Sequence, residues 1–292
     1  TNVFSTGPTL QFRLGPTVIG LAELRYTDSY AEKTKEFNSG RFSGALRALI
    51  DLDPTRRLSG NLEAAKINYD NDSLQSDYTR YAGYAGYTQK LTQLDLGAAL
   101  GYTYLDFNSG GHASGPLART TLDWRASARS TFGLGAYWEF SDAAQSLAAG
   151  SAGFANGLDG VAIGGAIISP DVYEDRRVEA RYGLETARIS LTTAVSAGRI
   201  RYERSIATGS NRNEYGGRLD LGYRLRPNMT LGVLAGVTRR DYQSGDADTR
   251  DSLYGAYLRQ QMSRHWGWRV DVKRSERHSQ GHNLSHDGNT PY

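Results

Sequence analysis

Few side chains in this sequence could support chemistry by type and spacing. His278, His282 and His286 recur every four residues, a spacing that would align three imidazoles on a helix and suggest metal binding. Gly281, Asn283 and Gly288 argue against a helix there, so the stretch reads as a solvated loop. Asp246, Asp248 and Asp251, with Asp70 and Asp72 in another loop, could gather Ca²⁺ through oxygen ligands, but the glycine-positioned loop of a calcium motif is absent. A hydrolase would need a fixed base, yet His112 lies in a glycine-rich loop and His265 in a short turn, with no partner set by spacing. The glycine-rich segment 150–165 lacks the Gly-Lys-Ser/Thr ending of a phosphate loop. With no cysteine in the chain, thiolate zinc sites, cysteine nucleophiles and disulfides drop out together. The expectation is no catalytic residue, no metal and no cofactor.

The elements that carry these residues are more informative than the residues themselves. Of 292 residues, 34 are Lys or Arg and 31 are Asp or Glu, a formal charge of +3. Their even spread makes no basic patch for nucleic acid, so no nucleic-acid partner is expected. The 34 glycines and 19 tyrosines, against two methionines and seven prolines, are unlike a helical or doubly wound enzyme. A mean hydropathy of -0.54 and the lack of an apolar run of about 18 residues exclude a transmembrane helix. A membrane crossed by strands stays open. The chain opens at Thr1 without a basic or apolar leader, which fits a cytosolic protein or a mature or trimmed secreted one. Zero cysteine suits passage through an oxidising periplasm.

Apolar and polar residues alternate at period two in about fourteen runs. The clearest is 94–105, where Leu94, Leu96, Ala98, Leu100, Tyr102 and Tyr104 share one face. Short connections, such as 53–57, 90–93 and 226–228, alternate strictly with longer polar ones, such as 28–40, 70–77 and 142–174. A meander with one short-turn end and one long-loop end is the pattern of an outer-membrane barrel. Run length agrees, since a soluble strand has about 5 to 6 residues and a tilted membrane-spanning strand roughly 9 to 11. Tyr26, Phe42, Tyr69, Tyr104, Phe140, Tyr202, Tyr215 and Tyr242 beside the long loops form one aromatic level. Tyr87, Trp124, Phe132, Tyr223, Trp266 and Trp268 beside the short turns form another.

If the apolar face meets lipid, charged residues of the opposite parity must point inward, because Arg or Lys facing lipid at midplane costs roughly 2 to 4 kcal/mol. The expected pore lining is Arg125, Arg181, Arg201, Glu203, Arg218, Asp220, Arg224, Arg269 and Asp271. Such charges either form a ladder of ion pairs that only holds the wall, or recognise anionic or sugar oxygens.

The stretch Leu219 to Tyr242, with Gly-Tyr-Arg-Leu-Arg-Pro-Asn-Met-Thr-Leu and then Arg-Arg-Asp-Tyr, resembles the outer-membrane β-barrel porin family often encoded beside exopolysaccharide export genes. The hairpin at 46–70 echoes it with Leu52-Asp53-Pro54 and Asn68-Tyr69-Asp70. A looser echo at 87–107 keeps Leu91-Thr92-Gln93-Leu94 and Tyr104-Leu105-Asp106-Phe107. The resemblance implies an outer-membrane pore for outward passage of a polysaccharide and brings no catalytic residues.

The expected fold is therefore an all-β, transmembrane, antiparallel up-and-down β-barrel, one domain over 1–292, in the bacterial outer membrane. About 14 strands are visible, and 16 would complete the barrel with one further strand at each end. The longest connection is rich in small and apolar residues, and Phe154, Leu158, Val161, Ile163 and Ile167 are expected either to fold inward and constrict the channel or to form an extracellular hairpin or protomer contact. Expected partners are outer-membrane lipid, a polysaccharide or small hydrophilic solute, and periplasmic export machinery. The alternatives are a general diffusion porin and a structural or adhesin barrel whose loops bind a ligand.

Overall fold

The computed structural model describes residues 2–30, 38–70, 77–141, 172–203, 211–243, 248–264 and 266–280. Fifteen strands make up one antiparallel sheet. Two are short, β1 (Asn2–Thr6) and β2 (Thr9–Arg13). The first half of the wall follows with β3 (Val18–Tyr30), β4 (Ser39–Asp53), β5 (Arg56–Tyr69), β6 (Tyr78–Lys90), β7 (Leu94–Phe107) and β8 (His112–Arg125). The second half is β9 (Ser130–Ser141), β10 (Tyr173–Glu185), β11 (Ile189–Tyr202), β12 (Arg212–Arg226), β13 (Met229–Tyr242), β14 (Asp248–Gln261) and β15 (Gly267–Gln280). From β3 on, each strand pairs with the next in sequence.

β1 and β2 both pair with β3, one against Tyr26 to Tyr30 and the other against Ile19 to Glu23. They are two halves of one wall strand, so fifteen strands occupy fourteen places. The break falls at Gly7-Pro8, where proline has no N–H for the ladder, and the Leu24 amide instead donates to the Pro8 carbonyl at 3.1 Å. Sequence periodicity finds the second half and misses Asn2–Thr6.

Strand length and facing settle what surrounds the sheet. β4 runs 15 residues and β9 runs 12, longer than the roughly 9 to 11 a tilted span requires. One face carries large apolar side chains in the open: Leu134 is 51% exposed and Val270 57%. In register these form rows, Leu96 beside Leu122 beside Leu134, and Leu191 beside Leu221 beside Val233. Contiguous apolar surface on this scale is not left to water. Lipid is the solvent that explains it.

The two ends of the wall use different closures. At the short turns one side chain caps two amides of the reversal. Asp53 accepts from the Thr55 and Arg56 amides, Ser127 from the Arg129 and Ser130 amides, and Thr186 from the Arg188 and Ile189 amides. The Thr55 hydroxyl and amide, with the Arg56 guanidinium, hold the Asp53 carboxyl well below the usual carboxylate range. At the long-loop end the amides of Tyr69, Tyr202 and Tyr242 donate to Asp77, Asn211 and Asp248, at 2.8, 2.7 and 3.1 Å. An Asp or Asn at the start of β6, β12 and β14 thus fastens the tyrosine that closes β5, β11 and β13.

This closure corrects part of the aromatic reading. Tyr26, Phe42, Tyr104 and Tyr215 are exposed, whereas Tyr69, Tyr202 and Phe140 are buried. Tyr69 and Phe140 belong to a cluster with Ile67, Tyr78, Leu105, Phe107 and Val172. On β5, β6 and β7 its members share the inward parity of Glu63, Arg80 and Thr103. Tyr69 turns inward because its position in the pleat decides its face, whatever its membrane depth.

Candidate functional site: the charged inner wall

The inward positions of β3 to β15 alternate with the apolar ones and carry acids, arginines, tyrosines and glycines. Near β3 to β9, Arg25 holds Glu23 at 2.6 Å, and Arg47 lies between Glu23 at 3.8 Å and Glu63 at 3.7 Å. The Tyr84 hydroxyl donates to Glu63 at 2.7 Å, while Arg119 pairs with Glu139 and lies over the Tyr84 ring at 5.8 Å. Polar groups on neighbouring strands therefore close on one another and leave few carboxylates uncompensated.

The wall is concave enough for contacts to skip a strand. Asp123 on β8, Gly133 on β9 and Arg181 on β10 lie in one register row, and the outer two meet at 3.1 Å. A Cβ at Gly133 would sit 3.0 Å from both Arg181 Nε and Asp123 Oδ1, so the missing side chain is the path of the pair. Four strands along, Tyr257 on β14 reaches over Gly232 on β13 and donates to Asp220 on β12 at 2.8 Å. A Cβ at Gly232 would overlap that ring. Arg269 on β15 lies over the same ring at 4.3 Å and binds Asp271 at 3.0 Å.

Seven of the nine expected pore-lining residues have the inward parity: Arg125, Arg181, Arg218, Asp220, Arg224, Arg269 and Asp271. Arg125 is 3.6 Å from Asp95, and Arg224 pairs with Glu185. Arg201 is a correction. Arg201 lies opposite Glu174, in phase with the exposed Val195, while its neighbours Ile200 and Tyr202 are buried on the inner side; Glu203 follows past the end of β11. The Ser-Ala-Gly stretch before them gives little phase information, and at the end of a strand an outward charge costs only about 0 to 1 kcal/mol. Phe154, Leu158, Val161, Ile163 and Ile167 lie outside the described residues.

Sequence reading missed the most buried ion-pair network of the wall. Near the long-loop end, Arg212 binds Glu214 at 2.8 Å, Arg240 binds Glu214 at 3.1 Å and Asp251 at 2.5 Å, and Arg277 binds Asp251 at 2.6 Å. This network runs across β12, β13, β14 and β15, and Arg240 is only 4% exposed. The signal was available, because Arg212 and Glu214 continue the parity of Arg218 and Asp220 along one strand.

Together the side chains form a band of paired charges across the concave face of the sheet. Such a band can hold solute hydroxyls; among the described residues no group of three or more His, Cys, Asp or Glu is arranged to hold a metal ion.

The sequence matches no protein-family model, and no curated protein is similar to it in sequence. Solved structures show the fold. The FrpB iron transporter of Neisseria meningitidis superposes with a TM-score of 0.51 at 12% identity, over 92% of this chain and 55% of that one. The copper transporter OprC gives 0.51 at 10% identity, over 94% of this chain and 56% of that one. This chain thus spans a little over half the length of these neighbours. The fold is that of an outer-membrane β-barrel, which agrees with the lipid-facing band.

Proposed function

We propose that this barrel is a channel for a hydrophilic solute across the outer membrane, and that the solute is a secreted polysaccharide chain. The observation that carries the reading is the inner wall, where arginine, carboxylate and tyrosine groups such as Arg181, Asp123 and Tyr257 face the interior in pairs. Those groups match sugar hydroxyls and acidic sugar oxygens, which arginine forks bind in two-point fashion. The hairpin pattern at 219–242 supports export as the direction. The self-pairing of the charges favours a second reading, a general diffusion porin whose ladder binds nothing.

Reconstitution into planar bilayers tests both. Current that is blocked by micromolar acidic or neutral polysaccharide, with the block weakened in Arg181→Ala, is the export outcome. Current unaffected by polysaccharide, with small sugars entering loaded vesicles, is the porin outcome. A barrel that conducts nothing overturns the channel reading.

A further inference from the structure

The inner face of β3 to β6 carries a recess whose charges are not balanced. In register, Arg25, Ser43, Ala65 and Arg80 form one row across the four strands, and Glu23, Ala45, Glu63 and Ala82 form the next. Arg41 stands one row beyond the first, toward the long loops, and Arg47 one row beyond the second. Ser43, Ala45 and Ala65 are too short to fill the middle, which leaves a hollow of about 170 Å³ bordered by four arginines against two glutamates. The other acids of these strands lie elsewhere. Asp28 has the outward parity, and Asp51 and Asp53 sit at the short turn on Arg57 and Arg56. Among the described residues the hollow is therefore cationic.

Both carboxylates already have a close donor, Glu23 from Arg25 at 2.6 Å and Glu63 from the Tyr84 hydroxyl at 2.7 Å. Arg25 also donates to the Gly7 carbonyl at 3.3 Å and the Thr9 hydroxyl at 3.1 Å. Arg47 is held less firmly. It approaches Glu23 and Glu63 only at 3.8 and 3.7 Å, beyond hydrogen-bond range, and its buried Nε has no hydrogen-bond partner among the described residues. Arg41 has no ion pair among the described residues. Two guanidinium forks thus border one hollow with donors to spare. Water would satisfy those donors and leave the charge, whereas an oxyanion answers both, because its two acceptor oxygens match the fork.

We propose that this hollow is a subsite for one acidic group of the passing solute, a sugar carboxylate held by the arginines at its rim, Arg41 and Arg47 among them. The inference rests on the channel reading and narrows its solute to an acidic polysaccharide.

The whole barrel in detergent is titrated calorimetrically with tetragalacturonate, with the same tetramer after reduction of its carboxyls to alcohols, and with inorganic sulfate. Wild type should bind the acidic tetramer roughly tenfold more tightly than the neutral one, the scale of one hydrogen-bonded charge contact. Arg41→Gln and Arg47→Gln should each lose that preference, and Lys66→Gln, on the outward face of β5, should keep it. Glu63→Gln leaves an acceptor for Tyr84 and removes a negative charge beside Arg47, so it should tighten acidic binding, which a merely structural Arg47 would not do. Equal binding of the two tetramers by wild type overturns the proposal, even where a variant fails to fold. Sulfate that binds as tightly as the acidic tetramer overturns it as well, since the hollow then holds a free anion and not a group of the solute. Bilayer current on the same samples separates the subsite from the channel. A barrel that conducts but treats the two tetramers alike loses the subsite and keeps the channel; one that prefers the acidic tetramer and conducts nothing keeps the site and loses the channel.

Discussion

Asp123 and Arg181 stand on strands that are not neighbours, yet their side chains meet at 3.1 Å over Gly133. The contact needs a wall curved toward that face and a residue without a side chain between them. Gly133→Leu should therefore separate the pair and narrow the interior together. Because both partners are substantially exposed, at 41% and 58%, the pair contributes no more than about 1 kcal/mol. The variant barrel should fold in vesicles with a lower single-channel conductance. Conductance at the wild-type level would mean that Gly133 does not border the conducting path.

Charge reversal on the same face tests selectivity. Arg181 and Arg224 lie on β10 and β12 with inward parity, each beside a carboxylate, Asp123 or Glu185. Changing both to Glu turns two paired sites into clusters of negative charge, which should bias the local potential toward cations. Reversal potentials in a salt gradient should shift in the cation-selective direction. No shift would place the two residues outside the ion path.

Period-two alternation and the strict exchange of short turns with long loops made the fold readable, because lipid on one side and water on the other impose opposite preferences on successive residues. The inward parity of seven charged positions followed from that phase. Arg201 did not, since the Ser-Ala-Gly residues before it carry no preference for either solvent and charge is tolerated on both faces near a strand end. Position along the strand marks Tyr69 and Tyr202 as interface aromatics, whereas their parity in the pleat turns them inward. The strand-skipping contact of Tyr257 with Asp220 was not legible, as it depends on curvature that pairing alone does not specify.

The assigned lipid face carries its own test. Val233 lies in the outward row with Leu221 and Ala256, in the middle of β13. Val233→Arg should reduce folding stability in bilayers by about 2 to 4 kcal/mol, while Arg201→Leu at the end of β11 should change it by about 1 kcal/mol or less. Urea titrations in vesicles would read both. Similar shifts for the two variants would contradict the depth assignment.

Burial, more than pairing, should decide which arginine the barrel cannot lose. Arg240 touches both Glu214 and Asp251 and is 4% exposed, while Arg181 makes one ion pair as close and is ten times more open to solvent. Arg240→Met leaves Glu214 with Arg212 and Asp251 with Arg277, so neither carboxylate is abandoned. Both nevertheless lose a partner where water cannot replace it. Removal of one member of a buried pair costs about 3 to 5 kcal/mol, and the remaining arginines place the expected loss at the lower end, about 3 kcal/mol. Arg181→Met should cost under about 1 kcal/mol, since water takes over the solvation of Asp123. The comparison is made in one vesicle system, from the urea midpoints of both variants and of Arg240→Lys. The lysine should recover part of the loss, because it supplies a point charge without the two-sided fork that reaches both acids. If Arg240→Met and Arg181→Met shift the midpoint equally, the network at the long-loop end is solvated like the rest of the wall and does not fasten β12, β13 and β14 together.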